Sequence, residues 1–536
     1  MMRWFAILCL IGLSVAVLGQ DTHLIYFTDK NNNSFSLNRP SEFLSARALS
    51  RRERQGISLQ ASDLPVSPSY VAQVRNAGAA VRYTTRWLNG AIITADSATL
   101  ERVRALPFVA SGGQISFHFS MPCDAFSHLA ADLSISDEDY GDAQRQNAML
   151  GIDQMNAAGL DGNGMHVAVM DAGFGRIPEM SVFGRLRLGQ TYDFVRGEEN
   201  VFKGGSHGQR VLSAMAAYLP GTLVGGAHAA TYHLFTTEDE RSESRVEEAY
   251  WLIAAERADS LGVDVIISSL GYSDFDNPNY NYTPDDLDGK TALVTQAAAA
   301  AARTGMIVVT SAGNYGNRPW QKLTFPADAD SILSVAAVDL NRVPAPFSSE
   351  GFVQNGRVKP DVAAIGVGTA VWAASDQVTF SSGTSFAAPL IAALATGLWQ
   401  ANPERNYMEI IEAIRRSGDQ FFEPDEKLGY GIPHFERANA YAVLGLPDAL
   451  TGVHVFPNPP QNGQVNIRWS DQQQGKDFII QLFNSLGQAM QAPVAVRASD
   501  DDLRFALPPA LPTGMYLLRL QSQQSQQQGT FRLYIR

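Results

Sequence analysis

Short apolar runs alternate with helical stretches through the middle of the chain, which predicts an α/β fold: a parallel sheet with helices on both faces. The residues before this region read as a small α+β unit. Those after it read as strands without helix signals, fitting a small β-sandwich. The chain has 536 residues, 45% of them apolar and 18% charged, enough for several domains and a large buried core.

Taken in order, the first segment has Arg3 as a positive start, an uncharged apolar run from Phe5 to Leu18, and the small residue Gly19. That is the pattern of a secretory signal over 1–19, too short for a stable membrane span. Cys9 and Cys123 are the two cysteines. Removal of the signal leaves Cys123 alone, so no internal disulfide is expected. The α+β unit is expected over 20–120. His23 to Thr28 alternates as a strand, and Ser41 to Arg54 is a charged helix. Tyr70 to Ala77 is a second helix. Val81 to Thr94 gives two strands turning near Asn89-Gly90. Asp96 or Ser97 caps a helix that ends before Pro107. The segment 121–144 is polar and acidic and reads as an exposed linker. The net charge of −13 argues against a nucleic-acid partner.

In the central region, 145–445, buried strands are expected at Val167 to Met170, Val263 to Leu270, Met306 to Thr310 and Ile332 to Val338. Arg245 to Leu261 and Thr291 to Arg303 are the helices between them. After Gly445-Leu446-Pro447 comes a hinge over 446–452, then a sandwich over 453–536. Its expected strands are Val453 to Phe456, Gln464 to Trp469, Phe478 to Phe483, Leu503 to Leu507, Met515 to Leu520 and Thr530 to Ile535. Val465, Ile467, Ile479, Leu482, Leu518 and Leu520 are its expected core, with a loop in the Gln-rich run Gln521 to Gln528.

Four motifs in the central region carry chemistry. Gly383-Thr384-Ser385-Phe386-Ala387-Ala388-Pro389 is a glycine turn into a serine at the start of an apolar helix. The serine oxygen there lies at the positive end of the helix dipole, beside free amides. Pro389 is tolerated in a first turn, whose amides lack helical partners. Val167-Ala168-Val169-Met170-Asp171 ends a buried strand in a carboxylate that can orient a histidine. Gly204-Gly205-Ser206-His207 opens a small-residue helix with an imidazole able to shuttle a proton near neutral pH. Thr310-Ser311-Ala312-Gly313-Asn314 ends a strand in an amide able to donate to an oxyanion.

In this chain order, Asp, His, Asn and Ser, the motifs resemble the subtilisin-like serine peptidases. Ser269-Leu270-Gly271 and Lys359-Pro360-Asp361-Val362 match further landmarks of that family. The resemblance spans the whole central region. It implies a subtilisin-like fold and serine endopeptidase activity on protein or peptide substrates. Asp171, His207 and Ser385 would be the triad and Asn314 the oxyanion donor. Ser269, Leu270, Gly271, Ser311, Ala312 and Gly313 would line the substrate site. These segments hold no acidic residue, which points to an apolar or broad preference. Three departures touch supporting positions: Gln209, His228 and the run Ala364-Ile365-Gly366. No cofactor is implied for the chemistry. Calcium is common in the family, but no ligand cluster is assigned and no metal-binding residue is named.

The resemblance extends to the flanks. Residues 20–120 stand where the family carries an inhibitory, folding-assisting propeptide. Phe456-Pro457-Asn458-Pro459, Asn484-Ser485-Leu486-Gly487 and Leu511-Pro512-Thr513-Gly514-Met515-Tyr516 resemble the sorting domain of the type nine secretion system of Bacteroidetes-like bacteria. That implies the secretion machinery as a partner, and a secreted or cell-surface protein exported via the periplasm. Three other readings stay open: an inactive binding protein on the same fold, a serine–carboxyl peptidase, and a surface adhesin. His207 and Asn314 argue against the second, whose members carry carboxylates at those places.

Overall fold

The computed structural model describes residues 21–111, 115–117, 140–354, 357–444, 453–470, 472–484, 488–499, 502–509, 511–524 and 528–535. The expected signal, most of the 121–144 linker and the 446–452 hinge lie outside the described residues. The chain divides into two compact units, one of Met1–Leu37 with Ala61–His118, the other of Asn38–Gln60 with Phe119–Arg536.

The first unit has a four-stranded antiparallel sheet in the order β2-β3-β1-β4. Its strands are β1 (Asp21–Tyr26), β2 (Ala80–Thr85), β3 (Gly90–Ala95) and β4 (Ile115–Phe117). Asn89 takes a positive φ of 50° at the turn between β2 and β3, a conformation asparagine tolerates well. Tyr70 and Phe108 stack with centroids 4.0 Å apart, beside the buried Ile25, Val74, Ile93 and Val103.

The expected helix at Ser41 to Arg54 divides in two. Pro40–Glu42 forms a 3-10 turn, and α1 (Ala46–Arg54) follows, capped by the Ser45 hydroxyl accepting from Ala48 N. In the first unit α2 (Pro68–Asn76) and α3 (Ser97–Arg104) follow, α3 capped by Asp96.

The second unit contains the expected parallel sheet. Helices α4 (Gln144–Leu150) and α5 (Ile152–Ala157) lead into β5 (His166–Asp171) and β6 (Arg187–Asp193). Then come α6 (His207–Ala216), the short hairpin β7 (Tyr218–Leu219) and β8 (Leu223–Val224), and β9 (Thr231–Thr236). They are followed by α7 (Val246–Leu261), β10 (Val265–Ser268), α8 (Leu293–Arg303), β11 (Ile307–Ser311) and β12 (Leu333–Val338). A hairpin of β13 (Phe352–Gln354) and β14 (Arg357–Lys359) precedes β15 (Val362–Ile365). A second hairpin, β16 (Thr369–Trp372) and β17 (Val378–Ser381), leads into α9 (Thr384–Ala401), α10 (Tyr407–Arg416) and α11 (Phe435–Leu444).

Sheet order is β15-β12-β11-β10-β5-β9-β6, every pairing parallel. Val167, Val169, Val265, Ile267, Ile307 and Val309 share one core with α6 and α9. Ala168, Ile266 and Val308, which alternate with them, are fully buried too. Burial of both faces explains why these strands read as continuous apolar runs. From β5 the chain steps outward to β6, returns to β9, then crosses to β10 on the other side of β5. That reversal places the carboxyl end of β5 at a topological switch point, where such sheets bind ligands.

The tail forms two antiparallel sheets, β18-β19-β22 and β21-β20-β23-β24. Their strands are β18 (His454–Gln461), β19 (Gln464–Arg468), β20 (Asp477–Asn484), β21 (Val494–Arg497), β22 (Leu503–Ala506), β23 (Gly514–Ser522) and β24 (Gln528–Ile535). Two expectations need correction. Phe478, Ile480 and Leu482 face the core, so Ile479 points outward to a half-exposed position. Strand β21 was not anticipated; its residues are mostly exposed, leaving no apolar alternation to read. The tail is also not isolated from its neighbour: Phe483 and Leu517 bury against Ala440 of α11.

Candidate active site

Parallel register brings the four motifs to one edge of the sheet. Asp171 ends β5 opposite Thr236 of β9, and Met170 stands opposite Ser268 of β10, which in turn faces Thr310 of β11. Asp171 is fully buried, and its Oδ1 lies 2.7 Å from His207 Nδ1, the first residue of α6. The same oxygen accepts from Ala172 N at 2.8 Å. Its other oxygen, Oδ2, is buried with no hydrogen-bond partner among the described residues. Such an orphaned acceptor strengthens the demand for positive charge on the imidazole.

Burial alone would push the His207 imidazole down, but the Asp171 charge and hydrogen bond outweigh it, and the ring is held above its ordinary value. Glu240 adds to that rise and Arg210 opposes it. The Glu240 carboxylate lies over the backbone of Gly205, two residues before His207. Burial and the Asp171 charge both raise Glu240.

Ser385 stands in the first turn of α9, 8% exposed. Its Oγ donates to Ser269 O at 3.2 Å, and no bond joins it to His207. The adjoining Phe386 ring lies 5.8 Å from the imidazole, which brings the head of α9 alongside His207. Pro389 falls one turn later than the sequence suggested, since α9 begins at Thr384. It therefore removes the amide that would have bonded to Ser385 O. Ser269 Oγ donates to that carbonyl instead, at 2.9 Å. This explains both the proline's tolerance and the buried serine at 269.

Asn314 is fixed by its oxygen, which accepts from Thr384 N at 2.9 Å and from Thr384 Oγ1 at 3.0 Å. Its Nδ2 has no partner among the described residues and stays available as a donor. Thr384, not singled out from sequence, is thus the residue that orients the amide. Gly313 N also donates to Thr384 Oγ1, at 3.2 Å.

Segments 269–271 and 311–313 run side by side, linked by Ser311 Oγ donating to Leu270 O at 3.4 Å. Leu270 and Gly271 reach the surface, whereas Ser269, Ser311, Ala312 and Gly313 are buried behind them. The departures have structural roles. Gln209 Nε2 donates to Trp372 O at 3.1 Å, and Gly366 O accepts from Gly383 N at 2.8 Å in the turn before Ser385. His228 packs on Tyr218 with ring centroids 4.6 Å apart.

The acidic stretch after β9 escaped the sequence reading. Among the described residues, Glu238, Glu243 and Glu247 offer carboxylate oxygens all within 4.8 Å of one another. Glu247 accepts from Asp239 N and Ser244 N, both at 2.8 Å, and Glu238 accepts from the Tyr272 hydroxyl. Burial comes first at both: with the Asp171 and Glu248 charges it pushes Glu238 up to about 7, against the lowering hydrogen bonds of Tyr272 and Thr237, and with the Glu238, Asp276, Glu248 and Asp274 charges it pushes Glu243 up to about 8. Oxygen ligands of this kind suit calcium; Glu238 and Glu247 accept internal hydrogen bonds as well.

The comparisons agree with this architecture. The model of the subtilase family matches residues 162–431, half of the chain, and the chain belongs to that family. A Peptidase S8 propeptide domain of Bacteroidota matches residues 22–126. A secretion system C-terminal sorting domain matches 454–533. Subtilisin DY of Bacillus licheniformis is 29% identical over 292 residues, covering 53% of this chain and 94% of that protein. Subtilisin BL of Lederbergia lenta is 27% identical over 259 residues, covering 48% and 85%. Alkaline elastase YaB of Bacillus sp. (strain YaB) is 26% identical over 307 residues, covering 56% and 73%. The protein is a serine endopeptidase made with a propeptide and a sorting domain, and it is secreted or held at the cell surface. Among the described residues, no helix is long and apolar enough to cross a membrane.

Proposed function

We propose that Ser385 is the nucleophile, His207 the general base and acid, Asp171 its orienting carboxylate and Asn314 an oxyanion donor in peptide-bond hydrolysis. The observation that carries this is the 2.7 Å bond between buried Asp171 Oδ1 and His207 Nδ1. It fixes the tautomer with the proton on Nδ1, leaving Nε2 free to accept one.

On substrate entry the Ser385 hydroxyl turns from Ser269 O towards Nε2; such bonds are often loose before substrate binds. Oγ attacks the scissile carbonyl carbon as its proton passes to Nε2. The carbonyl oxygen becomes an oxyanion, held by Asn314 Nδ2 and by amides at the start of α9. The C–N bond breaks as Nε2 returns the proton to the leaving amine, giving an acyl-enzyme on Ser385. Water then repeats the sequence and frees the carboxylate product. Each of these steps uses side chains and backbone amides of the chain itself; a structural calcium has no assigned ligands.

Leu270 and Gly271, with 311–313 behind them, would receive the substrate backbone and the residue before the scissile bond, with an apolar or broad preference. The N-terminal unit would be cut away between about Phe119 and Asp142. The tail would engage the secretion machinery after passage through the periplasm. Ser385→Ala tests the central assignment: it should abolish hydrolysis of a chromogenic peptide while the fold, read by circular dichroism, persists. Normal turnover by that variant would remove Ser385 from the mechanism.

A further inference from the structure

Residues 38–60 lie within the stretch matched by the propeptide family, yet they pack as part of the catalytic unit, while the chain on both sides belongs to the other unit. The contacts are buried and polar. Arg51 is completely buried, pairing with Asp259 of α7 and donating to Val263 O. Arg52 reaches the other oxygen of Asp259 at 2.7 Å. Arg47 pairs with Asp264 and donates to Gly262 O and Gly164 O, both at 3.0 Å. Ser45 N donates to Ser260 O at 2.9 Å. Gln55 bridges two further elements, donating to Gly305 O after α8 and accepting from Tyr407 N of α10, both at 2.9 Å.

The receiving surface is shaped for this segment. Gly262 ends α7 at φ +80°, and a Cβ there would meet Ala48 N at 2.6 Å and Arg47 Cβ at 2.7 Å. A Cβ at Gly305 would meet Gln55 Nε2 at 2.7 Å and Ile57 Cδ1 at 2.8 Å. The location matters as much as the fit. Gly164 and Asp264 precede β5 and β10, whereas Asp171 and Ser269 follow or end them. Segment and triad therefore sit at opposite ends of the sheet, about 15–20 Å apart along a six-residue strand. Occupancy of this surface leaves the cleft open.

We infer that peptide-bond hydrolysis by the enzyme itself, in the linker and again on either side of residues 38–60, frees the N-terminal unit, and that this segment stays seated on the catalytic domain as a non-covalently held piece of the active enzyme. Departure would strip Asp259 of two guanidinium partners and Asp264 of one, and breaking such buried charged pairs is strongly unfavourable. This inference rests on the reading that the N-terminal unit is cut away during maturation.

The test uses active enzyme from the culture medium, counted by titration with an irreversible serine reagent, then denatured and resolved by liquid chromatography and mass spectrometry. The expected result is a fragment that contains Ala46 to Arg54 but lacks β1 and β3, close to one per active site, separate from a catalytic polypeptide that starts after the linker; an unbroken piece carrying β1, Ala46 to Arg54 and β3 together would overturn the removal of the N-terminal unit from around the segment. Active enzyme without that fragment would overturn retention while leaving the propeptide reading intact. The same residues found only in one unbroken chain with the catalytic domain would overturn both. A second measurement serves if variants misfold: an isotope-labelled peptide of residues 38–60 should exchange into the purified enzyme. The same peptide carrying Arg51→Ala and Arg52→Ala should exchange at least 100-fold more weakly; equal exchange would contradict the arginine clamp.

Discussion

At the residue scale, His207 is pulled in two directions by neighbours outside the proposed triad. Raised above its ordinary value by Asp171, the imidazole is protonated, and inactive as a base, below that raised value; activity is therefore lost as pH falls through it. Glu240 raises His207 and Arg210 lowers it. Glu240→Gln should move the acidic limb of the kcat/KM profile to lower pH, and Arg210→Gln should move it to higher pH. Profiles that coincide with the wild type would show that neither charge is felt at the ring. Asn314→Ala should retain substrate binding and lose about 10²–10³ in kcat, the size seen for the corresponding donor of a subtilisin. Single-turnover kinetics would separate the two; an unchanged kcat would take Asn314 out of the oxyanion site.

At the scale of elements, the strands and the two long helices of the central region were legible because both faces of the sheet are buried, leaving uninterrupted apolar runs. The candidate residues Asp171, His207, Asn314 and Ser385 stand out in the sequence because each lies at or just past the end of a strand, or in the first turn of a helix, beside glycines. Less visible were residues whose partners are distant in sequence. Ser269 answers a carbonyl freed by Pro389, and Thr384 orients Asn314. Arg51 and Arg52 belong to a segment that reads from sequence only as a charged helix, since nothing local marks Asp259 as their partner. The acidic stretch after β9 gives an element-level prediction. Glu238 and Glu243 titrate near 7 and 8 in the fold, above the ordinary 4.5 of an unfolded glutamate. The folded state thus holds protons that the unfolded chain has released, and stability falls as pH rises from about 4.5 to 8. Glu238→Gln should flatten that fall and raise Tm at pH 8 by a few degrees, measured calorimetrically across pH. An unchanged slope would mean that the carboxylates relax apart.

At the scale of the whole molecule, the chain joins a module for maturation, a module for chemistry and a module for export. A chain ending near Gly445 should keep nearly unchanged kcat/KM, because no tail residue takes part in the proposed mechanism. It should melt slightly earlier, since Ala440 loses its cover of Phe483 and Leu517. That apolar contact was hidden in the sequence: Phe483 and Leu517 lie in strands whose other residues fill the sandwich core. In its native host the truncated chain should accumulate in the periplasm, visible by fractionation and blotting. Equal amounts of both forms outside the cell would refute the sorting role.

The proposed mechanism turns on one oxygen atom at the head of α9. Labelling the active, secreted enzyme with a fluorophosphonate and mapping the adduct by peptide mass spectrometry reads that atom directly. The account predicts a single adduct on Ser385, formed in proportion to the activity lost and absent from His207→Ala enzyme. Full inhibition with the adduct on another residue, or full activity with Ser385 modified, would contradict it.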